Sequence, residues 1–454
     1  MFRKPLAVIV VASLLVPFLH DAARAAETVV NNAADARNAI ANAHAGDTIV
    51  LADGSYDLGN VKVSVRATEA EPVVIKAQNA GKATLTDSSE IRIERASYVM
   101  ISGFVLSPTD LTPLTVAGSN DVRVTRNVFR VRETEPDNEK KGIRWLSIDG
   151  VGSGDDAHNC ERVRIDHNLF DEKHAPSNFI AVNGLGTQVA QHVRIDHNHF
   201  RKIGPRITNG KEAIRVGLSG LSLSDGFNVV ESNLFEECDG DPEIISIKCC
   251  KTQVIDNTFV RCQGGVCLRH GNDNVVSGNV FLGEHKKGTD GVRAYGDDHR
   301  IENNFMQDLT GAAINITNGG IDYGSGEVEN RKLLTGHFRP QRIKIESNAI
   351  VGCGQPISLG TKMKDNKGPP RDLTFAKNVI IGTPAENTPV KVTTMPEGMK
   401  LEGNVVELPQ GAKLGLDDVT AEQFKVVSPG EAKAPAEHPK PLTPADVGPD
   451  APGE

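Results

Sequence analysis

Apolar residues recur in this chain in a fixed frame: an apolar position, two residues of any kind, an Asn, one further residue, then a second apolar position. The frame reads "VTRNVF" (124–129), "IDHNLF" (165–170), "IDHNHF" (195–200), "VESNLF" (230–235), "VIDNTF" (254–259) and "VSGNVF" (276–281). Looser copies follow in "IENNFM" (301–306), "IESNAI" (345–350), "FAKNVI" (375–380) and "LEGNVV" (401–406). Asn therefore falls at 127, 168, 198, 233, 257, 279, 304, 348, 378 and 404, with tightest intervals of 24, 22 and 25 residues. A period near 22 with variable insertions predicts an all-β, single-domain, right-handed parallel β-helix, a solenoid whose coils stack about 4.8 Å apart. Asn at a repeated turn is expected to take the left-handed conformation and bond its stacked neighbour, forming a ladder. The Phe or aliphatic residue two places on points inward. A leucine-rich horseshoe does not fit, because the repeat lacks its leucine spacing and a helical segment per repeat.

The ends differ from the repeat. "MFRKPLAVIVVASLLVPFLHDAARAA" combines Arg3 and Lys4, an apolar run from Pro5 to Leu19 and small residues at 23 and 25. It reads as a secretory leader of residues 1–25, cleaved after Ala25, and its apolar run is too short for a membrane span. A secreted or periplasmic protein is expected. Residues from about Ala33 to Ala43 predict a short amphipathic helix that caps the open N-terminal end of the solenoid, followed by a first strand in "GDTIVL". Residues 26–427 then form the β-helical domain. From Ser428 to Glu454 the chain is Pro-rich and polar and reads as an extended or disordered tail.

Charge narrows the choice of partner. The formal net charge is −9, and removal of the leader makes it −11, which argues against nucleic acid. A local basic stripe can still serve an anionic substrate. The seven cysteines, at 160, 238, 249, 250, 262, 267 and 353, contain no C-x-x-C pair set, so zinc is not expected. Cys238, Cys262 and Cys353 each follow a ladder Asn by five residues. They are expected to stack as small buried groups, with a Cys238–Cys262 disulfide as the alternative.

Four dipeptides, Ile214-Arg215, Ile247-Lys248, Leu268-Arg269 and Val292-Arg293, occupy similar strand slots. With the apolar member inward, Arg215, Lys248, Arg269 and Arg293 are expected to form one basic column on an outer face. Their mutual repulsion implies that an anion sits there. Asn209 and Glu212 lie just before Arg215, and Asp241 and Glu243 just before Lys248. Together they offer hard oxygen donors suited to Ca²⁺. Strict alternation would turn Glu212 and Glu243 inward, so they reach a surface ion only where a corner or bulge re-aims them.

This set suits one reaction. The C5 proton of a uronate linked through O4 becomes acidic when its carboxylate is neutralised by Ca²⁺ or arginine. A base then removes it and the O4 bond breaks by β-elimination. Lys248 is the candidate base, its pKa expected to fall beside Arg215 and Arg269. Arg269 is always charged, so it is expected to stabilise the departing O4 while Lys248, His270 or water relays the proton.

At these residues the sequence resembles polysaccharide lyase family 6, the β-helical group of alginate lyases and chondroitinase B. The matching stretches are "NGKEAIRVG" (209–217), "PEIISIK" (242–248), "LRHGN" (268–272), "GNVFLG" (278–283) and "GVRAYGDDHRIENN" (291–304). The resemblance implies Lys248 as Brønsted base and Arg269 as its acid partner. It implies Asn209, Asp241 and Glu243 as calcium ligands, and Arg215, His270, Arg293 and Tyr295 as substrate contacts. Asp241 stands where the family usually has Glu. The chain is too short for the second β-helical domain of the larger members.

Three readings follow. The first is an alginate lyase acting at mannuronate-containing linkages, which "GVRAYG" around Arg293 favours. The second is a lyase of chondroitin or dermatan sulfate. The third is a non-catalytic β-helix that binds acidic polysaccharide, for which a lysine beside an arginine is not required. A glycoside hydrolase would need carboxylates across the cleft, and here they cluster on one side.

Overall fold

The computed structural model describes residues 27–452 apart from 136, 139, 140, 322–330, 363–365 and 385; the expected leader and its cleavage site lie outside the described residues. Three parallel sheets, with 14, 12 and 14 described strands, run along one axis, and successive coils add a strand to each. The chain is a parallel β-helix. Burial alternates along the strands, as in Val73–Ala77, where Val73, Ile75 and Ala77 point in and Val74 and Lys76 are partly exposed. That period of two lets a stacked sheet bury one side of every strand.

The ladder is continuous across ten coils, and its asparagines are at most 1% exposed. Asn257 is representative: its Oδ1 accepts from the backbone N and Nδ2 of Asn233, each at 3.0 Å. Its Nδ2 donates to Val230 O and Ile255 O at 2.9 Å and to Asn279 Oδ1 at 3.0 Å. The left-handed residue is the one before each Asn and not the Asn itself. Arg126, His167, His197, Ser232, Asp256, Asn303, Ser347 and Lys377 have φ between 50° and 57°, and Gly278 and Gly403 occupy the same slot. Turning the preceding residue swings the Asn amide into the interior, where it reaches both the coil before and the coil after. A left-handed non-glycine costs about 1–2 kcal/mol. Several bonds worth about 0.5–1.5 kcal/mol each outweigh that cost.

Two residues beyond the ladder, Phe129, Phe170, Phe200, Phe235, Phe259 and Phe281 stack in sequence with ring centroids 4.4–4.9 Å apart. Met306 and Ile350 continue the column, fully buried. All seven cysteines are buried and free, and Cys238 N lies 3.4 Å from Cys262 Sγ. Cys238 and Cys262 stack as small groups without a disulfide, while Cys353 lies three coils beyond Cys262, packed against the Met306 and Val351 carbonyls.

The capping helix spans Ala33–Ala41, with Asn32 as its N-cap and Ala36 and Ile40 buried. It stops short of Ala43 at the C-cap Asn42, whose backbone N and side-chain Nδ2 both donate to the Asn38 carbonyl, at 3.1 and 2.8 Å. The strand in "GDTIVL", Thr48–Leu51, is preceded by another, Glu27–Val30, which pairs with it in parallel. At the other end the Pro-rich segment is extended and runs back against the winding. His438 stacks on Phe305 at 4.2 Å, and Leu442 N donates to Thr258 Oγ1 at 2.8 Å. Further along, Gly448 N donates to His197 O at 2.8 Å, and Arg126 Nη1 reaches Pro449 O at 2.6 Å.

Replacing Asn257 by Ala strands the Asn233 amide and two buried carbonyls, so stability should fall by about 3 kcal/mol or more. Urea unfolding checks this; a loss below about 1 kcal/mol would remove the ladder's claim to fix the coil.

Candidate active site

The 12-stranded sheet carries the basic residues. Ile214, Ile245, Val266 and Val292 stack in register and face inward, so Arg215, Ser246, Cys267 and Arg293 form one outer column. Ile247 pairs with Leu268, which sets Lys248 and Arg269 two residues further along the same face, in a second column. The expected single column is thus two. The apolar–basic dipeptides share a face but not a phase, because a slip of two residues preserves inside and outside.

Two bulges shape the strand Glu243–Lys248. The register slips between Glu243 and Ile245, so Ile244 and Ile245 are both buried and Glu243 turns to the outer face. Its Oε1 accepts from Arg269 Nη1 and Arg293 Nη2, each at 2.5 Å, and its Oε2 accepts from Ser246 Oγ at 2.6 Å. Burial pushes the Glu243 carboxyl up, but Arg293 and Arg269 outweigh it and hold the value at about 2. The anion that balances these arginines is therefore built in. The second slip, between Ile247 and Lys248, pairs Lys248 with His270 and leaves Arg269 as the extra residue.

Lys248 Nζ stands 3.7 Å from Glu212 Oε1, with its side chain 11% exposed. Glu212 is held from the other side by Asn178 Nδ2 at 2.8 Å. Arg215 donates from Nη2 to Asn183 Oδ1 at 2.5 Å, and burial pulls its pKa below the ordinary value. Asp241 accepts from Gly210 N at 2.7 Å and Glu243 N at 2.9 Å. Burial first, then the charges of Glu212 and Glu243, push its carboxyl up to about 6. A cation would relieve that crowding, and Asp241 and Asn209 offer hard oxygens of the kind calcium takes, but both oxygens of Glu243 are already engaged by Arg269, Arg293 and Ser246. Asn209 is exposed on the loop leading to Gly210. Among the described residues no three Asp, Glu, His or Cys side chains converge as a metal site.

His270 and Tyr295 are each 1% exposed and back the site from beneath its surface. His270 Nε2 meets Ser219 Oγ at 3.1 Å, and burial, then His337 and Arg269, lower its pKa to about 3. It is neutral at ordinary pH and carries no spare proton toward O4. His337 stacks on Tyr295 at 4.2 Å and on His270 at 5.6 Å. Sequence reasoning missed His337, Asn178, Asn183 and Ser219. For Ser219 and His337 the signal was the wide ladder intervals of 35 and 44 residues before Asn233 and Asn348, which mark inserted loops. Asn178 and Asn183 lie instead in the 30-residue coil that precedes Asn198.

The face thus presents a lysine amine, three guanidinium groups and a buried carboxylate, an arrangement that binds and polarises an acid. The model of the chondroitinase B family matches residues 30–436. No curated protein matches the chain. Among solved structures, the PL6 family alginate lyase AlyGC is 27% identical with a TM-score of 0.74, over 89% of this chain and 53% of its own. This chain therefore spans about half of that enzyme's length. A mannuronic acid specific family 6 lyase from human gut microbiota is similar in fold, at 24% identity and a TM-score of 0.68 over 88% of this chain and 91% of that one. The polysaccharide lyase Pedsa3628 from Pseudopedobacter saltans shares the fold at 20% identity and a TM-score of 0.71, over 93% and 99% of the two chains. With a family match along most of its length and a β-helix bearing lysine and arginine on one outer face, the chain belongs to polysaccharide lyase family 6.

Proposed function

We propose that the protein is a secreted or periplasmic lyase that cleaves the 1,4 linkage of alginate by β-elimination, at mannuronate-containing sites. The observation that carries this reading is Glu243 holding Arg269 and Arg293 beside Lys248 on one outer face. Each guanidinium has five N–H donors, and the bonds to Glu243 leave others for a substrate carboxylate. Arg269 and Arg293 neutralise that carboxylate and so acidify C5–H. Lys248 in its amine form takes the C5 proton, the electron pair forms the C4–C5 double bond, and the C4–O4 bond breaks. Arg269 stabilises the departing oxygen, which is protonated from the lysine ammonium or water. Arg215 anchors a neighbouring unit, with His270 and Tyr295 supporting the floor.

Asn209 and Asp241 would hold calcium, which when bound supplies further positive charge for the uronate carboxylate; Glu243, expected as a third ligand, is instead taken up by Arg269, Arg293 and Ser246. Alginate is favoured by the 27% identity to an alginate lyase. The chondroitinase B family match keeps chondroitin or dermatan sulfate as the second reading. No described helix is long and apolar enough to cross a membrane.

Incubation with polymannuronate, polyguluronate and dermatan sulfate, followed by the ultraviolet absorbance of the unsaturated product, tests the reading. Activity should appear on polymannuronate and drop at least about 100-fold in Lys248→Ala. Binding to all three polymers with no new absorbance would leave only a binding module. Glu243→Gln removes the counter-ion of two partly solvated arginines. It should cost about 2–3 kcal/mol, and activity with it. Because the folded Glu243 value lies below the ordinary 4.5, this contribution is present above 4.5 and disappears as pH falls through about 2. Acid unfolding of the two proteins should therefore converge at low pH. Asp241 has the opposite sign: its raised value means the ionised carboxylate costs stability once pH exceeds about 6. Calcium should accordingly raise the melting temperature more at about pH 7.5 than at about pH 5, and Asp241→Asn should abolish the difference. Equal shifts at both pH values would remove Asp241 from the ion.

A further inference from the structure

The outer column that carries Arg215 and Arg293 continues beyond the site. Arg293, Asn315, Ser358 and Lys391 stack in direct register on four successive coils. The adjoining column is buried at Tyr295 and Thr317 and reaches the surface at Thr361, in register with Thr317, and at Thr393, whose backbone N bonds Leu359 O at 2.9 Å. None of these eight residues is acidic, in a chain of net charge −9. Thr361 Oγ1 donates to Asn315 Oδ1 at 3.0 Å and lies 3.1 Å from Ser358 Oγ, which makes a hydroxyl and amide floor between the two basic ends. At its inner end the floor is bare backbone: a Cβ on Gly265 would come 2.0 Å from Gly291 O, and one on Gly291 would come 2.1 Å from Ala313 O. Lys391 is exposed, and its side chain has no hydrogen bond or ion pair among the described residues. In the opposite direction the Arg215 column runs through Ala181, Ser147 and Thr115 to Arg92 and Lys62, while the adjoining column runs from Asp149 through Ala117 to Glu94, which pairs with both Arg92 and Lys62.

We propose that this strip is a binding track for the acidic polysaccharide on the C-terminal side of the catalytic residues, with Lys391 as its terminal cation. It takes the carboxylate of a sugar unit remote from the cleaved bond. The proposal rests on the reading of the site as a uronate lyase. Lys391 lies three coil spacings, about 14 Å, from Arg293, and an extended 1,4-linked sugar chain advances by a length close to one coil per unit. The polymer thus meets one coil after another, with hydroxyls over Asn315, Ser358 and Thr361 and a charge at each end. The asymmetry gives the track a direction: at the opposite end Lys62 and Arg92 are already paired with Glu94, and Asp149 lies on the way, whereas the Lys391 amine is left to draw a polyanion.

Full-length wild type, Lys391→Glu and a charge-matched control, Lys344→Glu on the first 14-stranded sheet, are compared on polymannuronate and its tetrasaccharide. Mobility is also measured in gels containing polymannuronate. In Lys391→Glu the ratio of kcat/KM on polymer to that on tetrasaccharide should fall about threefold or more, and retardation should weaken most at low salt. Lys344→Glu should change neither. Identical ratios and mobilities for the two variants would overturn the track. Should the wild type yield no unsaturated product on any uronate polymer, the lyase reading fails, and the gel decides the track: retardation weakened by Lys391→Glu alone supports it, and equal retardation ends it.

Discussion

Burial of an amide at every turn is the constraint on which this molecule depends. An Asn side chain that donates and accepts in both directions along the axis has no second register in which it is satisfied. An unpaired buried amide costs about 1–3 kcal/mol. The ladder from Asn127 to Asn404 therefore fixes where each coil sits on the last, whatever is inserted between. Insertions of very different length leave the outer columns aligned. A lysine and an arginine from different coils can then be neighbours without any local signal joining them.

Charge is handled by the same geometry. Three guanidinium groups and an amine on one face repel one another, and the fold answers with Glu243, turned outward by a bulge and shared between Arg269 and Arg293. The carboxylate orients both guanidinium groups, which pre-organises their remaining donors. Asp241, crowded by two other carboxylates, is the converse: a place where negative charge is in excess and a cation is favoured. The two lie two residues apart, so small displacements of the Asp241–Glu243 segment couple them.

The inserted loops are anchored by buried polar groups. Glu133 accepts from Lys173 Nζ at 3.0 Å, from Trp145 Nε1 at 3.2 Å and from the backbone N of His174 and Ala175. Burial lowers Lys173 to about 8, against the pull of Glu133. The loop ending in Asn209 is tied by Lys211, whose Nζ donates to His174 O at 2.6 Å and Pro205 O at 3.0 Å. Residues that approach the site thus hang from a rigid frame and not from free loops.

The period of Asn and Phe was enough, by itself, to determine the β-helix and the inward Phe column. Each of these follows from a repeat that must bury the same positions in every coil. The face of Arg215, Lys248, Arg269 and Arg293 was also legible, because alternation fixes inside and outside. Their division into two columns was not, since a slip of two residues leaves that alternation unchanged. Nor could the left-handed residue, one place before the Asn, be told from the Asn, because both are polar turn positions. The outward turn of Glu243, its capture by two arginines and the approach of His337 to Tyr295 were decided only by tertiary structure. Bulges and contacts across 42 residues depend on which coils meet, and a single strand's sequence does not contain that information.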